Sequence, residues 1–334
     1  MSDKILSISV AAYDLEKLIY KNIESFINSE VREKIEIIVT DDESKDNTAK
    51  IVEQYENKYP GIVRLIKQKN AGPGSTVNSG IKHATGKYFK MVDGDDWVVT
   101  ENLKDIIEYL EKTNVDMVIT NYQVFSNKDN QVIKNCTFKL PTNKELNFKD
   151  YCKSLDLGMH AVMFKTTILQ ENNIILDNGF YTDTEYVLLP SEFIKTFSYI
   201  NLDLYVYLVA QANQSVSAQS MRKNIKMHDF VLNRLIDFYE NKKKENVDKN
   251  VLIYIRNRIA LVAANQLSTY LTYDDKKERL GKIKKFNMEL KNKSNDIYER
   301  YKKNKKAFLI IYSRYLLTNI VSKLYMKKIA EVRY

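Results

Sequence analysis

The stretch Tyr88-Phe89-Lys90-Met91-Val92-Asp93-Gly94-Asp95-Asp96-Trp97 decides how the chain is read. Tyr88 to Val92 is a continuous β-prone run, which suits a strand covered on both faces better than an alternating pattern would. Three carboxylates crowd its carboxyl end, where open α/β sheets bind ligands. Asp93 and Asp95, one residue apart, suit a hard divalent cation such as Mg²⁺ or Mn²⁺, and such a cation holds phosphate. Asp and Gly also favour a solvated turn, so this run alone leaves both readings open.

On either side the pattern alternates strand and helix. Ile5 to Val10, Ile35 to Thr40, Ile62 to Lys67, Tyr88 to Val92 and Val115 to Thr120 read as strands. Between them, Leu15, Leu18, Ile19, Ile23, Phe26 and Ile27 share a helical face, and Asn47 to Tyr59, Ser75 to His83 and Asn102 to Lys112 read as helices. This rhythm predicts an α/β fold, a mostly parallel sheet with helices on both faces. Right-handed crossovers bring the carboxyl ends of the strands to one edge. Residues 121–220 are less regular; Ser126 to Lys134 reads as polar and turn-like, and Leu202 to Val209 as a strand. From residue 221 the pattern turns helical, with Phe230 to Tyr239 and Leu252 to Tyr270 as helices and Phe308 to Tyr325 as the last one.

The net charge of +9 conceals an asymmetry. Residues 221–334 hold 28 Lys+Arg against 12 Asp+Glu, a net of +16, whereas residues 1–220 hold 24 against 31, a net of −7. Such a split implies different partners for the two parts. Two cysteines, Cys136 and Cys152, offer neither metal spacing nor a disulfide framework, which points to a reducing, cytoplasmic setting. Ile5 to Val10 is too short for the apolar core of a signal peptide, and no apolar stretch reaches membrane-spanning length.

Other strand ends carry polar residues too. Thr40-Asp41-Asp42-Glu43-Ser44-Lys45-Asp46-Asn47-Thr48 follows the second strand. Helix capping accounts for Asp46 or Asn47 and leaves Asp41 and Asp42 unexplained; the Asp41 carboxylate suits a base N–H or a ribose hydroxyl. Tyr13, after the first strand, reads either as a stacking platform for a planar base or as a packed rim tyrosine. Asn70-Ala71-Gly72-Pro73-Gly74-Ser75 ends the third strand and starts a helix. Its glycines permit close ligand approach and the helix start suits phosphate, yet a plain loop fits equally. It is neither a Walker motif nor a dinucleotide fingerprint.

Taken together, Ile8 to Asp14, Ile38 to Thr48, Asn70 to Gly74 with Asn78, and Ala84 to Tyr88 leading into Asp93 to Trp97 resemble, in order and spacing, a family 2 glycosyltransferase of the GT-A fold, of the bacterial cell-surface polysaccharide type. The resemblance extends to about residue 217. It implies a catalytic domain over 1–220, with a nucleotide-sugar half over 1–120 and an acceptor half over 121–220, followed by a basic, mainly helical C-terminal region over 221–334. It implies that Tyr13 stacks on the base and Asp41 bonds it, and that Asn70, Gly72 and Asn78 belong to the nucleotide-sugar site. It makes Asp95 and Asp93 the metal ligands for Mn²⁺ or Mg²⁺, with Asp96 touching the donor sugar or bracing the site. The family's general base is usually the Asp of a Glu-Asp pair; here the pair is Thr182-Asp183, so Asp183 takes that place and the Glu is missing. Gln214 and Ser215 resemble the segment that closes over the donor diphosphate. His160 reads as a packed or surface histidine, or as an acceptor-site residue.

The expected activity is inverting, metal-dependent transfer of a sugar from a nucleotide sugar, a UDP-sugar, to a hydroxyl of a cell-surface polysaccharide or lipid-linked glycan precursor. A single displacement needs no enzyme nucleophile, and three histidines without triad spacing agree with that. The alternatives are a non-catalytic nucleotide-sugar-binding or scaffold subunit, supported by the missing Glu, and a sugar nucleotidyltransferase, for which Ala11-Ala12-Tyr13-Asp14 supplies no triphosphate loop. No nucleic-acid motif accompanies the basic charge. The Phe308–Tyr325 segment, flanked by lysines, suits either an anionic membrane surface, peripheral on the inner face of the cell membrane, or packing on the catalytic domain or a second subunit of a homo-oligomer.

Overall fold

The computed structural model describes residues 4–179, 181–209 and 218–332. The chain divides into two compact units: Met1–Asp150 with Leu157–Gln211, and Tyr151–Asp156 with Ala212–Tyr334.

The first unit is built on a ten-stranded sheet. Its strands are β1 Leu6–Ala12, β2 Ile35–Asp41, β3 Val63–Lys67, β4 Tyr88–Asp93, β5 Trp97–Val98, β6 Met117–Ser126, β7 Gln131–Cys136, β8 Leu146–Asn147, β9 Val162–Lys165 and β10 Thr196–Val209. They lie in the order β3-β2-β1-β4-β9-β6-β10-β5, with β7 beside β6 and β8 beside β10. The first four are mutually parallel. Strand β9 runs against both β4 and β6, so β6 and its parallel neighbour β10 regain the direction of β4. Along the eight-strand path only β9 and β5 are reversed, which makes the sheet mixed but mostly parallel in direction. Leu6, Ser7, Ile8, Ser9 and Val10 are all buried, and since successive side chains point to opposite faces, both faces of the sheet are covered.

The covering helices are α1 Ile19–Ile27, α2 Thr48–Lys58, α3 Pro73–His83 and α4 Leu103–Lys112. Each carries a stripe of apolar residues at helical spacing, for example Leu103, Ile106, Ile107 and Leu110 in α4, all buried. Helix α3 lies very close to β1: a Cβ on Gly80 would come within 2.0 Å of Ser9 Oγ. The parallel register pairs Ala12 with Asp41, Ala11 with Asp93 and Asp41 with Lys67, so the carboxyl ends of β1, β2, β3 and β4 share one edge. The polar segment expected to be a turn over Ser126 to Lys134 is instead the tip and return strand of a hairpin, β7 pairing with β6. Its residues Gln131 to Asn135 are exposed, and an exposed edge strand lacks the apolar alternation that marks a half-buried one.

The second unit is helical, with Ala218–Lys223, Ile225–Lys242, Lys249–Tyr270, Lys276–Lys293, Asn295–Tyr301, Lys305–Tyr312 and Thr318–Val332. Leu235, Ile255, Ile259, Ala263, Leu267, Ile283, Ile297 and Ile310 form its core. Helix starts are fastened by side-chain caps: Asp248 accepts from the Asn250 N–H at 2.7 Å, Asp275 from that of Glu278 at 2.7 Å, and Asn304 from that of Lys306 at 3.0 Å. The single helix expected over Phe308 to Tyr325 is two, broken where Arg314 and Tyr315 take left-handed φ values of 51° and 70°. The apolar spacing runs through this break, so periodicity could not reveal it. Among the described residues no helix is long and apolar enough to cross a membrane.

Candidate active site

Asp93 is the last residue of β4, and the chain turns back at once: the Asp96 N–H donates to the Asp93 carbonyl at 3.0 Å. Asn22 of α1, fully buried, clamps this turn by donating from Nδ2 to the carbonyls of Asp93 (3.1 Å) and Asp96 (2.8 Å). Gly94 is obligatory here, because a Cβ would lie 2.5 Å from Leu15 Cδ1 and 2.6 Å from the Ala11 carbonyl. Strand β5 then pairs with β10, Trp97 opposite Val206, and sets Asp96 against β10. The Tyr205 hydroxyl donates to Asp96 Oδ2 at 2.5 Å and accepts from the Asp93 N–H at 3.2 Å; the Leu208 N–H donates to Asp96 Oδ1 at 2.7 Å.

Asp93, Asp95 and Asp96 each offer a carboxylate oxygen within 4.8 Å of the others. Burial, reinforced by the charges of Asp95 and Asp183, pushes the Asp93 carboxyl up to about 7. Burial, reinforced by Asp93 and Asp95, holds the Asp96 carboxyl well above the usual carboxylate range. Three crowded carboxylates resist ionising together, and an all-oxygen donor set of this kind fits a hard divalent cation whose charge balances it. Asp183 stands in the first turn of the helix Thr182–Leu188, entered through Tyr181 at φ 73°. The sheet edge thus brings Asp183 into the electrostatic field of Asp93 across ninety residues of sequence.

On the β1–β2 side, Tyr13 is half-exposed. Beside it Asp14, at φ 52°, accepts from the Lys45 N–H at 2.7 Å and donates its own N–H to Ser44 Oγ at 3.0 Å. Asp46 Oδ1 accepts from the Thr48 N–H at 2.9 Å at the start of α2. Asp41 is buried; its Oδ2 accepts from the Ser44 N–H at 3.3 Å, while its Oδ1, also buried, has no hydrogen-bond partner among the described residues. A buried acceptor without a donor is costly.

Three residues that the resemblance assigns to the nucleotide-sugar site make contacts within the protein. Asn78 engages both ends of its amide with Leu176, donating to its carbonyl at 2.8 Å and accepting from its N–H at 2.9 Å. Asn70 Nδ2 donates to the Asp42 carbonyl at 3.0 Å. Gly72, at φ 94°, and Gly74 leave room for protein backbone: a Cβ on Gly72 would lie 2.0 Å from the Asn178 carbonyl and one on Gly74 1.6 Å from that of Asp177. These residues hold segment 176–179, which leads to Asp183. Asp42, unexplained by sequence, is the hub of the same loop: Oδ1 accepts from Gln68 Nε2 (2.8 Å) and the Ala71 N–H (3.0 Å), and Oδ2 from the Gly72 N–H (2.9 Å). Glu185, fully buried, adds a further tie by accepting from the Asp177 N–H at 2.5 Å. Thr182 is buried next to Gly74.

His160 lies in an aromatic box, with its ring centroid 5.2 Å from Tyr122, 4.8 Å from Tyr205 and 4.6 Å from Tyr207. Burial, with a contribution from the Lys90 charge, lowers its imidazole to about 3, so it is neutral at physiological pH and a poor base. Lys90 is fully buried within β4, its Nζ donating to the carbonyls of His160 (2.9 Å) and Val162 (3.3 Å), and burial lowers it to about 7. Sequence reading missed Asn22, Lys90, Tyr205 and Tyr207. Only the last two left a signal: Tyr205 and Tyr207 sit two apart on a strand, hence on one face, but 23 tyrosines obscure it. Gln214 and Ser215 lie outside the described residues.

Residues 7–172 match the model of Glycosyl transferase family 2. The chain is 28% identical over 216 residues to the poly(ribitol-phosphate) beta-glucosyltransferase of Bacillus spizizenii, covering 64% of this chain and 33% of that protein. It is 32% identical over 114 residues to the poly(ribitol-phosphate) beta-N-acetylglucosaminyltransferase TarS of Staphylococcus aureus, 34% of this chain and 20% of the relative. The chain therefore spans a third or less of the length of these two relatives. Its fold resembles the crystal structure of S. aureus TarS 1–349 in complex with UDP-GlcNAc, with a TM-score of 0.65 at 18% identity over 99% of this chain and 93% of that one. The mixed Rossmann-like sheet with its acidic edge is accordingly a GT-A fold, and residues 7–172 within it belong to glycosyl transferase family 2.

Proposed function

We propose that the chain is an inverting glycosyltransferase that moves a sugar from a UDP-sugar to a hydroxyl of a cell-envelope polymer or its lipid-linked precursor. The observation that carries this reading is the convergence, at one sheet edge, of the unpartnered Asp41 Oδ1, the Asp93–Asp95–Asp96 cluster and Asp183. Asp41 accepts from the base and Tyr13 covers its face. Asp95 and Asp93 would hold Mn²⁺ or Mg²⁺, because both oxygens of Asp96 are already engaged by Tyr205 and Leu208. When bound, such a cation supplies positive charge to the departing diphosphate. Asp183 takes the proton of the acceptor hydroxyl as that oxygen attacks the anomeric carbon from the side opposite the diphosphate, so one displacement inverts the centre. Asp96 acts by bracing the turn, and His160, neutral among tyrosines, helps to shape the acceptor side.

The UDP-sugar donor is supported by the similarly folded TarS, crystallised with UDP-GlcNAc. Two relatives named for poly(ribitol-phosphate) make a polyol-phosphate polymer the first acceptor to try. We further propose that the enzyme works at the cytoplasmic face of the membrane, with residues 1–220 as the catalytic domain and 221–334 as a separate helical region. The test is UDP or GDP release across a panel of nucleotide sugars, with Mn²⁺, Mg²⁺ or EDTA. Metal-dependent release from a UDP-sugar is expected; a protein that neither binds nor turns over any donor with metal present ends the proposal.

A further inference from the structure

Residues 302–330 contain eight Lys and Arg and no Asp or Glu. They form most of the last two helices, Lys305–Tyr312 and Thr318–Val332. One side is anchored: Ala307, Ile310 and Val321 are buried, and Ser322 Oγ donates to the Leu271 carbonyl at 2.7 Å. The other side is not covered within the unit. Phe308, Tyr312, Leu316, Ile320 and Leu324 follow one another in steps of four and are 48%, 64%, 83%, 56% and 63% exposed. Phe308 and Tyr312 pack on each other, ring centroids 4.4 Å apart, and Leu316 stands in the turn made by Arg314 and Tyr315. Isolated apolar residues on a surface need no explanation; a row of five large ones does.

We propose that this row is a docking face for an anionic lipid bilayer, lying in the plane of the interface with its apolar side chains among the acyl chains and its lysines over the phosphates. Charge selects this occupant. A second copy of the chain would set two segments of the same sign, each with eight cations and no carboxylate, against one another. A polyanion in water would engage the lysines and leave the row exposed. A bilayer of acidic lipid satisfies both features without requiring a spanning helix, and none of the described helices could serve as one. This deepens the proposed placement at the membrane and is independent of the proposed chemistry, since binding is measured without donor or acceptor.

The test is flotation of the full chain with vesicles containing phosphatidylglycerol or with phosphatidylcholine alone. Binding to the acidic vesicles is expected, weakened by salt. The triple change Tyr312→Ser, Leu316→Ser, Ile320→Ser and the separate change Lys323→Gln, Lys327→Gln, Lys328→Gln should each weaken it about tenfold or more. Should the triple variant fail to fold, Leu316→Glu, at the most exposed position of the row, puts a charge where acyl chains would lie and should also detach the protein. Absence of flotation with acidic vesicles, or flotation unchanged by Leu316→Glu, overturns the proposal. So does a wild-type dimer that the same variant dissociates, which would make the row a self-interface.

Discussion

The Tyr205 hydroxyl is fastened to Asp96 by a 2.5 Å hydrogen bond and, through the Asp93 N–H at 3.2 Å, to the end of β4. One side chain of β10 therefore fixes the turn that aims the acidic cluster. Tyr205→Phe keeps the ring and removes the bond. It should cost roughly 1–3 kcal/mol of stability, because Asp96 and the Asp93 N–H lose a buried partner. Donor affinity should fall while the product stays the same; a variant with unchanged melting and unchanged donor binding would show that the turn holds without Tyr205.

Asp183→Asn should remove the proton acceptor and leave the donor pocket intact. Transfer should drop by about 10²–10⁴-fold with donor affinity, measured calorimetrically, within a few-fold of wild type. Retained transfer would assign the proton to another group.

Asp95 and Asp96 should separate function from stability. Asp95→Asn should leave the fold alone and weaken Mn²⁺-supported donor binding by about tenfold or more. Asp96→Asn should instead lower the melting temperature, since an amide cannot accept from both Tyr205 and Leu208 as a carboxylate does. Chelation by EDTA should reduce donor binding in wild type and have little further effect in Asp95→Asn.

Gly72→Ala tests whether the loop after β3 is shaped by protein. The new methyl group would meet the Asn178 carbonyl at 2.0 Å on a backbone at φ 94°. A loss of about 1–3 kcal/mol is expected from backbone strain alone. Displacement of segment 176–179 should also reduce turnover more than donor affinity, because that segment leads to Asp183 rather than to the base side. Equal loss of both would indicate direct contact between Gly72 and the nucleotide.

His160 predicts a pH dependence. Its imidazole is lowered from 6.5 to about 3 by burial, so as pH falls the unfolded chain takes up a proton that the folded chain refuses. Stability from this group is complete above about 6.5 and declines as pH drops towards about 3. His160→Phe keeps an aromatic ring beside Tyr122 and Tyr207 and should lose of order 1–2 kcal/mol less than wild type on going from about pH 7 to about pH 5. Parallel melting curves for the two proteins would show that His160 protonates in place.

The sequence by itself determined the alternation of strand and helix, the common edge at which β1, β2, β3 and β4 end, and the residue types gathered there. Those features are local: apolar period, Gly and Pro punctuation, and carboxylates next to strand ends are written in consecutive residues. Consecutive residues alone therefore assign Asp93, Asp95 and Asp41 to that edge. What the tertiary structure alone decided is which polar atoms remain available there. Asn78 and Asn70 are engaged with the backbone of Leu176 and Asp42, Gly72 and Gly74 make room for Asn178 and Asp177, and Asp42 ties the loop, whereas Asp41 keeps an oxygen without a partner. Tyr205 and Lys90 gained their roles from strand pairings between distant segments, and the break at Arg314 and Tyr315 turned one apolar stripe into two helices. The physical reason is the same in each case: a side chain's chemistry is set by its own atoms, but its availability is set by neighbours that only the folded chain brings within hydrogen-bonding distance.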